Sequence, residues 1–170
     1  MRLTMTSSSA SKIALILPLA AMLAITGCSR KQKLPDNANQ LGLANNAQPG
    51  TTQDFTVNVG DRVFFTTDSS TLTPEARAIL DKQSVWLNKY GTYTITIEGH
   101  ADERGTREYN LALGARRAAA TKDYLATRGV ARSRMQTISF GKERPVAVCN
   151  DISCWSQNRR AVTVLGGGNS

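Results

Sequence analysis

The densest run of ionisable residues is Glu98-Gly99-His100-Ala101-Asp102-Glu103-Arg104-Gly105-Thr106. It allows two kinds of chemistry. Glu98, Asp102 and Glu103 could supply a carboxylate pair for cleaving a glycosidic bond, with His100 as a base. No nucleophile motif accompanies them, so no catalytic residue is assigned and an enzyme is not expected. The chain has one histidine, which excludes a multi-histidine metal centre. The other chemistry is binding. Downstream stand Asn110 and then Gly114-Ala115-Arg116-Arg117-Ala118. An Asp and an Arg around one pocket can hold a zwitterion, the Asp taking an ammonium and the Arg taking a carboxylate through two parallel bonds. The same residues also have structural readings. Asp102, Glu103 and Thr106 could cap a helix, and an Asp–Arg couple could be a structural ion pair.

The flanking pattern sets where these residues stand. Val63-Phe64-Phe65 is a short apolar strand candidate. Thr73-Pro74-Glu75 opens a helix: Thr at the N-cap, Pro in the first turn, Glu at the positive end of the dipole. Ile79, Leu80, Gln83, Trp86, Leu87 and Tyr90 follow at three-to-four spacing, and Gly91 ends the helix. Tyr93, Ile95 and Ile97 alternate with Thr94, Thr96 and Glu98 as a half-buried strand. After the polar loop a second helix spans about residues 108–128, with Tyr109, Leu113, Ala120, Tyr124 and Leu125 among its apolar positions. On it Arg116 and Arg117 point about 100° apart, so only one shares the face of Leu113 and Tyr124. Ile138 and Phe140 mark a third strand. Residues 161–165, with Val162 and Val164 facing one way, mark the last. The order β-α-β-α-β-β predicts an α+β domain over residues 55–166, its helices packed on one face of a mixed sheet. Residues 167–170 are read as a tail.

The segment before the domain reads as an address. Residues 1–27 carry two charges, Arg2 and Lys12, followed by an uncharged apolar run over 13–25. A membrane span needs about 20 apolar residues, so the pattern is that of an export signal. The run closes on Ile25-Thr26-Gly27-Cys28, which resembles the lipobox of bacterial lipoproteins. That likeness implies cleavage before Cys28 and acyl chains on it, with Ser29 resembling the choice that sorts such proteins to the outer membrane. Residues 29–54 contain no aromatic residue and many Asn and Gln. They read as a tether spanning roughly 28 Å as a coil and about 90 Å when stretched. The net charge is +8; without Arg2 and Lys12, 19 basic against 13 acidic residues leave +6. No nucleic-acid motif accompanies that charge, and an exported protein would not meet nucleic acid. Setting Cys28 aside leaves Cys149 and Cys154 as an even pair. They form a disulfide in an oxidising compartment or remain two free thiols. They lack further Cys or His neighbours for a metal site.

The residues from Glu98 to Thr106, then Tyr109-Asn110, Leu113-Gly114, Arg116-Arg117-Ala118, Tyr124-Leu125 and Gly129, strongly resemble the OmpA-like peptidoglycan-binding domain. Gly141-Lys142-Glu143-Arg144-Pro145 and Asn158-Arg159-Arg160-Ala161-Val162 continue the likeness, which spans about residues 55–165. The resemblance implies non-covalent binding of the meso-diaminopimelate side chain of peptidoglycan stem peptides. The family's ligand-binding Asp falls on Asp102 and its Arg on Arg117. Phe65, Asp68, His100, Arg104, Asn110, Leu113 and Arg160 are implied to lie around the pocket. Lipid-anchored members also bind TolB and work with the other Tol proteins of the envelope, holding the outer membrane to the cell wall. No cofactor is implied beyond the lipid on Cys28. The sequence departs from the family at Thr66, where many members carry Asp. Replacing Asp102 or Arg117 by Ala is expected to weaken peptidoglycan binding without unfolding the domain.

Overall fold

A computed structural model describes residues 47–167. The expected export signal, the Cys28 lipidation site and the tether up to residue 46 lie outside the described residues. A helical turn at Thr52–Asp54 (α1) runs into a wider turn at Phe55–Gly60. Then come β1 (Arg62–Phe64), α2 (Pro74–Lys89), β2 (Thr94–His100), α3 (Arg107–Thr127), a short 3-10 turn (Arg132–Arg134), β3 (Met135–Gly141), α4 (Ile152–Asn158) and β4 (Arg160–Gly166). The strands form one sheet in the order β1-β4-β2-β3. β4 runs antiparallel to β1 and β2, and β2 runs parallel to β3. The expected mixed sheet and α+β class are therefore present.

Local chemistry sets the helix starts. Thr73 accepts from the Ala76 amide at 3.2 Å, with Pro74 in the first turn. Thr106 does the same for the Tyr109 amide at 3.2 Å. These side chains satisfy amides that the first helical turn leaves unpaired. Thr106 is thus the cap that the polar loop supplies.

Both long helices cover one face of the sheet. Val63, Ile95, Ile97 and Ala161 point to that face and cluster with Leu80 and Leu87 of α2 and Ala118 and Leu125 of α3. Thr163 lies in the same layer; its hydroxyl donates to Gln83 Oε1 at 2.9 Å, and Gln83 Nε2 donates to the Gly60 carbonyl at 2.7 Å. The buried polar pair is therefore satisfied. Val162 and Val164 do share a face, but it is the one opposite the helices, and Val164 is exposed. Ile138 is also exposed.

Gly99 and Gly114 bring α3 unusually close to β2. A Cβ on Gly99 would lie 1.8 Å from the Gly114 carbonyl oxygen. The two missing side chains let the backbones touch, which sets the depth at which the next turn of α3 sits over the end of β2.

Two features depart from the sequence reading and a third adds to it. The folded unit begins before Phe55: Ala47 and Asp54 are buried, and Asp54 accepts from Trp86 Nε1, Asn58 Nδ2 and the Gly50 amide at 2.8, 2.8 and 2.9 Å. A polar segment can dock this way because one buried carboxylate finds three donors. The loop holding the cysteines contains α4, started by Asp151, which accepts from the Ser153 amide at 2.7 Å. Cys149 and Cys154 are joined as a disulfide across it, with a Cα–Cα distance of 5.6 Å. Finally, Arg134 closes the end of α2 by donating to the Leu87, Tyr90 and Tyr93 carbonyls.

Candidate functional site

At the C-terminal end of β2 the polar loop turns into α3 and faces the β1–α2 loop. Between them lies a cavity of about 210 Å³. Thr67 and Asp68 line it from the β1–α2 loop, and Asp102, Arg104 and Gly105 from the β2–α3 loop. Tyr109, Asn110, Leu113 and Arg117 line it from α3, and Arg159 from the residue before β4. Its charged side chains are three arginines and two aspartates, a balance of +1.

Arg117 is fully buried. Its Nε donates to the Ser69 carbonyl at 2.8 Å, Nη1 to His100 at 2.7 Å and Nη2 to Thr66 at 3.1 Å. One guanidinium thereby ties the β1–α2 loop to the end of β2. The Phe65 ring lies under it, 5.2 Å from ring centroid to guanidinium carbon. Burial, helped by the neighbouring charge of Arg159, pulls its pKa down to about 10; it stays charged at neutral pH. Three of its five N–H groups are used, which leaves two.

Asp102 is buried and does not pair with Arg117. Arg104 holds it in a fork, Nη2 to Oδ2 at 2.7 Å and Nε to Oδ1 at 3.2 Å, and the Arg104 amide adds a bond at 3.3 Å. Arg159 Nη1 reaches Oδ2 at 3.2 Å from the buried side. Burial pushes the Asp102 carboxyl up, but these bonds outweigh it and hold it below the usual carboxylate range. Asn110 Nδ2 donates to the Arg104 carbonyl at 2.7 Å and fixes the loop on α3.

Asp68 sits at the rim in a left-handed backbone conformation, φ 55°, which costs a non-glycine residue energy. It accepts from the Tyr109 hydroxyl, and that bond raises the Tyr109 pKa.

The OmpA family profile matches residues 64–159. A peptidoglycan-associated lipoprotein of Rhizobium meliloti is 67% identical over 156 residues, covering 91% of this chain and 89% of the relative. The crystal structure of the peptidoglycan-associated lipoprotein from Burkholderia pseudomallei superposes with a TM-score of 0.64 at 38% identity, over 67% of this chain and 98% of that one. The C-terminal domain of Helicobacter pylori MotB shares the fold alone, with a TM-score of 0.59 at 18% identity over 62% and 84% of the two chains. This chain belongs to the OmpA family, among the peptidoglycan-associated lipoproteins.

Of the nine residues that the family resemblance implies around the pocket, Asp68, Asp102, Arg104, Asn110, Leu113 and Arg117 line the cavity. Three do not. Phe65 is buried beneath Arg117 and offers its carbonyl to Arg159 Nε at 3.1 Å. The His100 ring points to the opposite sheet face, where it stacks on Phe140 and meets Glu98 at 3.4 Å; only its carbonyl serves Arg117. Arg160 donates to the Asn158 and Arg144 carbonyls, away from the cavity. The arginine that enters the site is its neighbour, Arg159. The quoted Asn158-Arg159-Arg160 motif contains it, but nothing local says which of two adjacent arginines turns inward. Tyr109 also lines the cavity; in the sequence it stands as an apolar helix position and a motif residue, with no place at the pocket implied. At Thr66, where the family Asp is absent, the backbone carbonyl rather than the side chain serves the site.

Among the described residues, no group of three or more His, Cys, Asp or Glu side chains is placed to hold a metal ion. No described helix is long and apolar enough to cross a membrane.

Proposed function

We propose that this domain binds peptidoglycan non-covalently through the diaminopimelate side chain of the stem peptide, and that it does so without cleaving it. The observation that carries this reading is the placement of Asp102 and Arg117 on one small cavity without pairing with each other. The diaminopimelate end carries an ammonium and a carboxylate on one carbon. Asp102 is the acceptor for the ammonium. The two unused N–H groups of Arg117 suit the carboxylate. Leu113 offers an apolar wall to the methylene chain. The +1 balance favours a ligand that brings extra negative charge.

The hydrolase reading draws no support from this geometry. Glu98 and His100 sit on one face of the sheet and Asp102 on the other, so the three do not flank one bond. On the proposed reading, acyl chains on Cys28 hold the protein in the outer membrane and the domain grips the wall in the periplasm. On this reading its partners are TolB and the other Tol proteins, which the family resemblance implies, and it acts with them in the Tol–Pal system that supports envelope integrity and division.

Calorimetry with L-Ala-D-Glu-meso-diaminopimelate and its L-Lys counterpart tests the site. The lysine form lacks the second carboxylate. Binding of the first at least about tenfold more tightly is expected from loss of a charge-assisted pair. Equal affinities would reject the role of Arg117. Fragments released from purified peptidoglycan would reject binding without cleavage.

A further inference from the structure

Asp102 presents a difficulty for any ligand amine. Both of its oxygens are occupied: Oδ1 by the Arg104 amide and Nε, Oδ2 by Arg104 Nη2 and Arg159 Nη1. An incoming ammonium must displace one of the two guanidiniums. The side chains differ sharply in freedom. Arg159 is 8% exposed and also bonded to the Phe65 carbonyl, whereas Arg104 is 43% exposed. Arg104 is therefore the partner that yields.

Its other contact makes the displacement orderly. The Arg104 guanidinium carbon lies 4.2 Å from the centroid of the Trp155 ring. Trp155 is fixed in turn: it follows Cys154 on α4, and its indole N–H donates to Glu103. Arg104 thus stands between a carboxylate and an aromatic face, at the mouth of the cavity.

We propose that Arg104 is a specificity-determining latch that occupies Asp102 in place of the ligand ammonium and admits only ligands carrying a carboxylate beside it. A zwitterion exchanges charges: its ammonium takes Asp102, and its carboxylate compensates the released guanidinium together with Arg117. A simple amine takes Asp102 but leaves Arg104 without a counter-charge, and so competes poorly. Selectivity for the diamino acid end over lysine then comes from a repulsive element as well as from attraction. This inference rests on the peptidoglycan reading for its natural ligand but not for its physical content.

The test uses the full-length protein in detergent micelles, with Arg104→Gln and Trp155→Leu as variants. Two probes are titrated: the peptide pair above, and n-butylammonium at matched ionic strength. Arg104→Gln is expected to bind the lysine peptide about fivefold more tightly than wild type, and to shrink the diaminopimelate-to-lysine ratio about tenfold, since it removes a charge-assisted fork. Butylammonium should bind Arg104→Gln at least about threefold more tightly on the same grounds. Trp155→Leu should move both readouts the same way by less. A residue that merely supports the fold would weaken every ligand and would not strengthen an amine. An unchanged peptide ratio and unchanged butylammonium binding in Arg104→Gln would overturn the latch. Failure of wild type to bind either peptide would reject the peptidoglycan reading, and the butylammonium arm would still decide the latch.

Discussion

Two buried bases behave differently in this domain. His100 is 1% exposed, and burial, followed by the charges of Arg160 and Arg144, pulls its pKa from 6.5 down to about 4. Its Nδ1 has no partner. Between pH 6.5 and 4 the unfolded chain therefore binds a proton that the folded chain refuses. Stability from this group is complete above pH 6.5 and falls as pH drops towards 4, by at most about 1.4 kcal/mol per pH unit. Urea unfolding should show this slope in wild type and a flatter one in His100→Gln. The lowered carboxylates Asp54 and Asp102 act in a separate window, below their ordinary value of 3.8.

Arg117 differs because its charge survives and its bonds span the site. The domain is expected to stay folded in Arg117→Ala, but three backbone carbonyls, that of His100 buried, lose their shared donor. That variant should lose roughly 3 kcal/mol or more of stability. Asp102→Asn keeps the shape of the side chain and should weaken binding of the diaminopimelate peptide with a smaller loss of stability. Calorimetry beside urea midpoints separates the two effects.

At the level of elements, the site depends on how deeply α3 sits on β2. Arg117 stands one turn beyond Gly114, and its bond to the His100 carbonyl requires the Gly99–Gly114 contact. Gly99→Ala would force the two backbones apart. It should cost about 2 kcal/mol or more and weaken ligand binding, although neither glycine is charged or lines the cavity. The α1 turn has a similar indirect role. Asp54→Ala strands the Trp86 indole N–H and the Gly50 amide, so about 2 kcal/mol should be lost in urea unfolding. The fall would show that the stable unit starts before Phe55.

For the whole molecule, the proposed reading makes the domain a grip and the lipid an anchor. Cys28→Ala should leave the protein outside the membrane fraction after cell fractionation, with peptide binding by the domain unchanged. Continued fractionation with lipid would reject Cys28 as the anchor. Multiple acyl chains matter here because a single one binds a bilayer only marginally.

Much of this architecture is legible along the chain because it is local. Thr73-Pro74 and Thr106 announce helix starts through bonds that close within three residues. The alternation of Ile95 and Ile97 with Thr96 and Glu98 announces a strand through its period of two. The Asp102 and Arg117 pair is legible through the family motif. Facing is not local. Strand neighbours point to opposite sides, and only the packing of α2 and α3 decides that Ala161 and Thr163 turn inward while Val164 stays exposed. Parity and context likewise send Arg159 into the cavity and Arg160 away from it. The occupation of Asp102 by Arg104 and Arg159 joins residues two and fifty-seven positions apart. Sequence alone therefore determined the two long helices and the four strands, the loop that carries the site and its two principal charges. Tertiary structure alone decided which faces are buried, which arginine enters the site and which one guards it, because those outcomes depend on contacts between segments distant in the chain.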